Sequence, residues 1–451
     1  MAKKKQIELT IEEKLQNALV PKEEQPYKIP NNWCWVRLDF LLKEICNGTT
    51  IKQNKEGKTA RVTRIESLQN NTIDFNRIGN IVNESLIKDK DWYIEGDIIV
   101  SHINSIEHVG KSAVITRDML PLVHGMNLLR LRLNNICNSQ FFQLYTRTTD
   151  YKKSIVNRVN RAVNQVSINQ KQLCSLEIPI TNLKEQQRIV NRIESLFVKL
   201  DRAKELIENT LAQWEQNKMA ILHKAFTGEL TAKWRKENNI DLSSWKKYEL
   251  KEVFKVVKDK YNPQIENQIV NYIGLENIET SKGIINKNNS SEVKSIKTKF
   301  KKDDVLYGKL RPYLNKHDVV NFDGICSTDI LVFRFDNINT AKYINYYFNL
   351  PMFIQYAVEN SSGINLPRVS EKTISKYKIS LPIIEEQQEI VNILDNLLAK
   401  YNKIKNLEQQ LEKIELLKKA ILAKAFRGEL GTNNPDEESA ENLLKEILAE
   451  K

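Results

Sequence analysis

A chain of 451 residues, 28% charged and 41% hydrophobic, is too long for one ordinary domain and long enough for two cores with connecting helices. It has no apolar run that could span a membrane, and the start MAKKKQIELTIEEK puts no apolar segment behind its basic residues, so the expectation is a cytoplasmic protein without a secretory signal. The net charge of +12 favours a polyanionic partner, and five scattered cysteines (Cys34, Cys46, Cys137, Cys174, Cys326) with no Cys-x-x-Cys pair argue against a disulfide framework or structural zinc.

Residues 1–26 read as a helical arm. Thr10 and Glu13 have capping-box spacing, Ile11, Leu15, Ala18 and Leu19 share a face, and Pro21 ends the pattern. Such a helix is too short to stand alone and needs a surface to dock on. Residues 27–180 change texture, with β-rich runs Ile98-Ile99-Val100, Ala113-Val114-Ile115 and Leu128 to Arg132, then a helical stretch from Ser139 to Asn157. Residues 181–230 form a long helix in which Ile189, Ile193, Leu196, Leu200, Ala203, Ile207, Leu211 and Trp214 recur at spacings of four and three. Asn182 with Glu185 marks its start and Gly228 its stop.

Residues 231–382 hold a polar connector, Thr231 to Ser244, and a second mixed domain with runs Ile269 to Ile273, Asp304 to Tyr307 and Ile330 to Phe335, then a helical stretch from Thr340 to Glu359. Residues 383–430 form a second long helix with Ile390, Leu394, Leu397, Tyr401, Ile404, Leu407, Leu411 and Ile414. The first five lie 201 positions beyond their counterparts and the last three 200, so one residue is lost between Ile404 and Leu407. Such a loss changes local winding and leaves a coiled-coil seam intact. In 431–451 an amphipathic helix is expected from the capping-box spacing of Asn434 and Glu437, with Ala440, Leu443, Leu444, Ile447 and Leu448 on one face.

The halves correspond feature by feature. Trp33 matches Trp245, Arg64-Ile65-Glu66-Ser67-Leu68 matches Gly274-Leu275-Glu276-Asn277-Ile278, Gly96-Asp97-Ile98-Ile99 matches Asp303-Asp304-Val305-Leu306, and Val166-Ser167 is aligned with Val369-Ser370. The predicted fold is α+β: two α/β domains separated by two long antiparallel coiled-coil helices in a pseudo-two-fold internal repeat. Helices of about 40 residues would span roughly 60 Å. Two heads at fixed separation suit two half-sites on DNA.

Catalytic motifs are missing. Asn262-Pro263-Gln264 lacks the second proline of a methyltransferase motif, and there is no phosphate loop or Gly-x-Gly-x-x-Gly. His102 and His108 flanking Glu107 have the chemistry of a metal site or general base, but a plain polar loop is favoured because the second domain has no counterpart. Groups that match base edges and phosphates cluster twice in each domain. In the first they are Ser101, His102, Asn104 and Lys111, then Arg158, Asn160, Arg161 and Asn164. In the second they are Lys309, Arg311, Tyr313, Asn315 and Lys316, then Ser361, Ser362, Asn365 and Arg368. Any one could be an ordinary solvated side chain; the paired placement favours DNA contact for the set.

The double Glu-Gln-Gln-x-Ile-Val start, the two Ala-Ile-Leu-x-Lys-Ala-Phe-x-Gly-Glu-Leu ends and Lys309-Leu310-Arg311-Pro312-Tyr313-Leu314-Asn315-Lys316 resemble the specificity subunit of type I restriction-modification systems, from Trp33 to Ile447. The resemblance implies two target recognition domains, each reading one half of a bipartite asymmetric DNA sequence, with the helices fixing the spacer. It implies as partners two modification subunits, which use S-adenosylmethionine to methylate adenine, and a restriction subunit dependent on ATP and Mg. This chain would hold no cofactor, metal or catalytic residue. The competing reading is a coiled-coil assembly scaffold that does not read DNA.

Overall fold

A computed structural model describes residues 10–54, 60–163, 165–266, 268–280 and 282–450, and the side chains of all of these but 398, 400–405 and 450. They form two compact units, one of residues up to Glu205 together with those from Gln410 onward, the other Leu206–Gln409. The sequence division gives each long helix a segment of its own, whereas the units divide both helices. The first helix is Leu183–Phe226, 44 residues, and the second Ile384–Phe426, 43 residues, so the lost residue is absorbed without interrupting the helix. Among the described residues no helix is long and apolar enough to cross a membrane.

In unit one, strands Ser112–Val114, Ile98–Ser101, Leu128–Leu133 and Leu42–Asn47 lie side by side, all antiparallel. Side chains alternate across a strand. Ile98, Val100, Leu129 and Leu131 enter the main core beneath helices Ser139–Tyr145 and Thr149–Arg158, while Ile99, Ala113 and Leu128 enter a second core with Leu68, Ile73 and Tyr93. Coverage on both faces explains the unbroken apolar runs. A separate strand, Cys34–Arg37, pairs with Glu177–Ile180, which leads into the first long helix. All five cysteines are free.

Unit two repeats this frame with strands His317–Val319, Val305–Gly308, Ile330–Arg334 and Lys255–Val256, helices Ile338–Tyr347 and Pro351–Glu359, and the pair Lys246–Glu249 with Lys378–Leu381. The matches read from sequence acquire hydrogen bonds. The Arg64 N–H donates to Ser67 Oγ at 3.1 Å and the Gly274 N–H to Asn277 Oδ1 at 2.7 Å, closing the same turn. Asp97 holds Arg132 through two bonds of 2.8 and 2.9 Å, and Asp304 holds Arg334 through two of 2.8 and 2.6 Å. One alignment needs correction. Ile168, not Val166, is the counterpart of Val369, because the Ile168 N–H reaches the His102 carbonyl at 2.9 Å as the Val369 N–H reaches that of Lys309 at 3.0 Å. The residues that follow, Asn169 and Ser370, both cap short helices.

The Glu-Gln-Gln starts are anchors. Buried Glu185 accepts from Thr432 Oγ1 at 2.6 Å and Arg188 Nε at 3.0 Å; buried Glu386 accepts from Thr231 Oγ1 at 2.6 Å, Trp245 Nε1 at 3.0 Å and Arg235. Gln186 Nε2 donates to the Ile136 and Thr181 carbonyls, both at 2.7 Å, and Gln387 Nε2 to the Pro382 carbonyl at 2.8 Å. In each unit the start of one long helix is thus tied to the segment following the other. The helix ends are clasped alike: Phe426 packs on Phe141 and Tyr145, and Phe226 on Tyr343 and Tyr347, an i, i+4 aromatic pair each time. Within unit one, Lys204 pairs with Glu415 at 3.1 Å and Asp201 with Lys418, so the two helices run antiparallel there.

Burial along the helix seam is uneven. Ile189, Ile193, Ile390, Leu394 and Ile414 are buried, while Leu196, Leu200, Ile207, Leu211, Trp214, Leu397, Leu407 and Leu411 are half-buried. The side chains of Tyr401 and Ile404 lie outside the described residues.

At the ends of the chain, Thr10 and Glu13 form the expected capping box, and Leu15 and Ala18 share a core with Ala440, Leu444 and Leu448. Ile11 is exposed rather than docked. The last helix begins at Ala440 instead of just after Asn434, because Glu437 is taken by Arg188 at 2.6 and 2.9 Å, which also holds its carboxyl below the usual range. Within the polar connector, Ala232–Glu237 is a helix presenting buried Arg235 to Glu386.

Candidate nucleic-acid interface

The two polar clusters of each unit meet. In unit one, Asn160–Ala162 and Gln165–Ser167 form a hairpin whose second strand pairs with Ile103–Asn104, through Val166 opposite Asn104 and Ser167 opposite Ile103. In unit two, the loop closed by Ser362 and Arg368, which exchange backbone bonds of 2.9 and 2.8 Å, pairs through Arg368 with Leu310, and the Arg311 N–H donates to the Pro367 carbonyl at 2.7 Å.

Burial sorts the candidates. Ser101 is buried and its Oγ accepts from Asn104 Nδ2 at 3.1 Å, so it positions Asn104 and is removed from the contact set. His102 is half-buried, and burial holds its pKa below the usual imidazole value. Lys111 is half-buried beside Lys152, whose pKa is lowered by burial and then by that neighbouring charge. Arg158 is half-buried and tied to Ser154 and Glu177. Asn160 is exposed and shares an amide pair with Gln172 at 3.2 and 3.3 Å, Arg161 is exposed, and Asn164 lies outside the described residues.

In unit two, Asn315 is buried and donates to the Phe348 carbonyl at 3.0 Å with φ of 43°, a local support for its turn that excludes it from contact. Lys316 Nζ donates to the Leu275 carbonyl at 2.7 Å, and Lys309 is half-buried. Ser361 Oγ caps the Val358 carbonyl at 2.7 Å. Arg311, Tyr313, Ser362, Asn365 and Arg368 remain exposed, with Arg368 loosely paired to Asp329 at 3.4 Å. Exposed arginine and asparagine on a β-element can read guanine and adenine edges, and the exposed cations can meet phosphates. Exposed apolar tips, Val163 and Ile364, stand beside these candidates; their signal in the sequence is an apolar residue inside a polar stretch at the repeat offset of 201.

The His102, Glu107, His108 constellation gathers no metal set: among the described residues no group of three or more His, Cys, Asp or Glu is placed to hold an ion. Glu107 is exposed, and its pKa is lowered by a hydrogen bond from Ser105.

Residues 31–213 and 243–416 match the family described as type I restriction modification DNA specificity domain, one match on each half of the chain. The chain belongs to that family. A putative type I restriction enzyme MjaX specificity subunit from Methanocaldococcus jannaschii is 30% identical over 421 residues, covering 89% of this chain and 95% of the relative. The EcoDI specificity subunit from Escherichia coli is 28% identical over 314 residues, 62% of this chain and 70% of its own. The crystal structure of an HsdS subunit from Thermoanaerobacter tengcongensis shares the fold with a TM-score of 0.55 at 18% identity, covering 90% of this chain and 99% of that one. A chain solved in work on complex assembly and conformational transition of the type I R-M system shares it with a TM-score of 0.64 at 17% identity, covering 90% of this chain and all of that one. In this family the duplicated match coincides with the duplicated frame, which makes the paired loops equivalent parts of two specificity domains.

Proposed function

We propose that this chain is the DNA-reading subunit of a type I restriction-modification complex in the cytoplasm. Each unit reads one half of a bipartite, asymmetric target in double-stranded DNA, and the long helices set the spacer and seat two modification subunits. S-adenosylmethionine, ATP and Mg belong to those subunits and to a restriction subunit, and this chain supplies positioning alone. The observation that carries the reading is the pair of equivalent β-elements, exposing Asn160 and Arg161 in one unit and Arg311, Asn365 and Arg368 in the other. One frame with different side chains suits two different half-sites.

Exchanging residues 245–382 for those of another specificity subunit, followed by mapping of methylated adenines, tests this. One half of the methylated sequence changes and the other stays. Loss of both halves while the complex still assembles overturns the reading.

A further inference from the structure

The two most exposed large apolar side chains among the described residues are Ile364, at 99%, and Val163, at 90%. They occupy equivalent places. Val163 stands five positions before Ile168, which bonds the His102 carbonyl, and Ile364 five before Val369, which bonds the Lys309 carbonyl. Their separation, 201, is that of Glu185 and Glu386. The loops have otherwise diverged: NRAVNQVS and SSGINLPR share only an aliphatic residue followed by asparagine.

Each tip stands on a braced base. The hairpin below Val163 is closed by pairing of Ala162 with Gln165 and Arg161 with Val166, and the loop below Ile364 by the two Ser362–Arg368 bonds. Exposed cations flank both, Arg161 in one unit and Arg311 and Arg368 in the other. A bare branched aliphatic chain adds nothing to the fold, and its natural destination is an apolar surface that arrives with a polyanion. Stacked bases are such a surface: aliphatic side chains inserted at a base step unstack it while neighbouring cations hold the phosphates.

We propose that Val163 and Ile364 are wedges, each entering the base stack of the half-site its own unit reads. The inference rests on the DNA-reading function above. Insertion would weaken stacking in each half and so ease extrusion of a base toward a modification subunit.

The test uses the full chain assembled with its modification subunits and duplexes carrying 2-aminopurine at successive adenine positions of both half-sites other than the methylated ones. Fluorescence rises at one step in each half. Val163→Ser abolishes the rise in one half alone, Ile364→Ser in the other alone, and each weakens binding about tenfold. Val163→Ile and Ile364→Val retain both signals. Because both side chains are exposed, the variants fold as the parent does. Unchanged fluorescence in the serine variants overturns the wedge, as does loss of subunit assembly in place of local unstacking, which would make the tips protein contacts. Absence of any salt-dependent DNA binding by the parent would instead overturn the function proposed above; binding and methylation with undisturbed 2-aminopurine overturns the wedge alone.

Discussion

In unit one the segments around the Arg64 turn build a three-stranded sheet, Gln53–Asn54, Gly79–Ile81 and Ala60–Val62, with a small core of Ala60, Val62, Ile81 and Val123. In unit two the corresponding region builds five strands, in which the parallel contact that unit one makes as a bridge between Val62 and Val123 becomes a strand pair, Asn271–Ile273 with Gly324–Cys326. Beneath these unlike additions lie the same Asp–Arg fork, the same Glu-Gln anchor and the same aromatic clasp. The additions can diverge because the anchoring bonds are made in the frame and ask nothing of the periphery. Even the anchors differ in one respect: Arg235, facing Glu386, is buried, whereas the Arg188 side chain, facing Glu185, is 37% exposed and has Glu437 as a second partner.

That asymmetry gives the largest expected effect. Glu386→Ala leaves a buried guanidinium without its carboxylate and should cost about 3–5 kcal/mol in calorimetric unfolding. Glu185→Ala should cost clearly less, since Arg188 keeps Glu437 and water. Equal losses would show that the anchors are energetically alike.

Next in size is pH. Burial pushes His124 of unit one down to about 3 and His317 of unit two down to about 4, from an ordinary value of 6.5. Both are neutral in the fold and take up protons more readily when unfolded, so their contribution is complete above pH 6.5 and is lost as pH falls through 4 and then 3. The loss is on the order of 3–5 kcal/mol, the smaller figure for His317 and the larger for His124. His317→Gln should flatten the acid limb of unit two alone, and His124→Gln that of unit one alone, in unfolding midpoints followed against pH.

The smallest effect separates the threonines. Thr231→Val and Thr432→Val each remove one hydrogen bond to a buried carboxylate and should cost about 1.5–3 kcal/mol, as for bonds to charged groups. Thr231 should fall at the high end, because its Oγ1 also accepts from buried Arg235 Nη1 at 3.1 Å, a second bond that valine removes. Denaturant midpoints of the two variants measure the difference.

Where local pattern and tertiary structure ask for the same thing, the sequence was readable. The long helices, the match of the Arg64 and Gly274 segments and the strands beside Asp97 and Asp304 follow from periodicity and repeat alone. It was misleading where a polar side chain answers to a partner far along the chain. Glu437 has the spacing of a helix cap, yet Arg188, 249 positions away, takes it, so the last helix starts later. Ser101 and Asn315 have the chemistry of base readers but are buried under neighbours that no local window includes. The connector looked polar because its Arg235 is charged, and only Glu386 makes that charge an interior one. The Val166 alignment slipped by two because the hairpin loops share almost no letters to hold a register.

The division of the long helices has a consequence for synthesis. Unit two is one uninterrupted run, Leu206–Gln409, so its core can close as soon as that run has left the ribosome. Unit one is split. Phe141, Tyr145 and Glu185 wait for Phe426 and Thr432, which are translated more than two hundred codons later. The half made first is therefore the half finished last, and during that interval its main core stands open on the side that the last forty or so residues will cover.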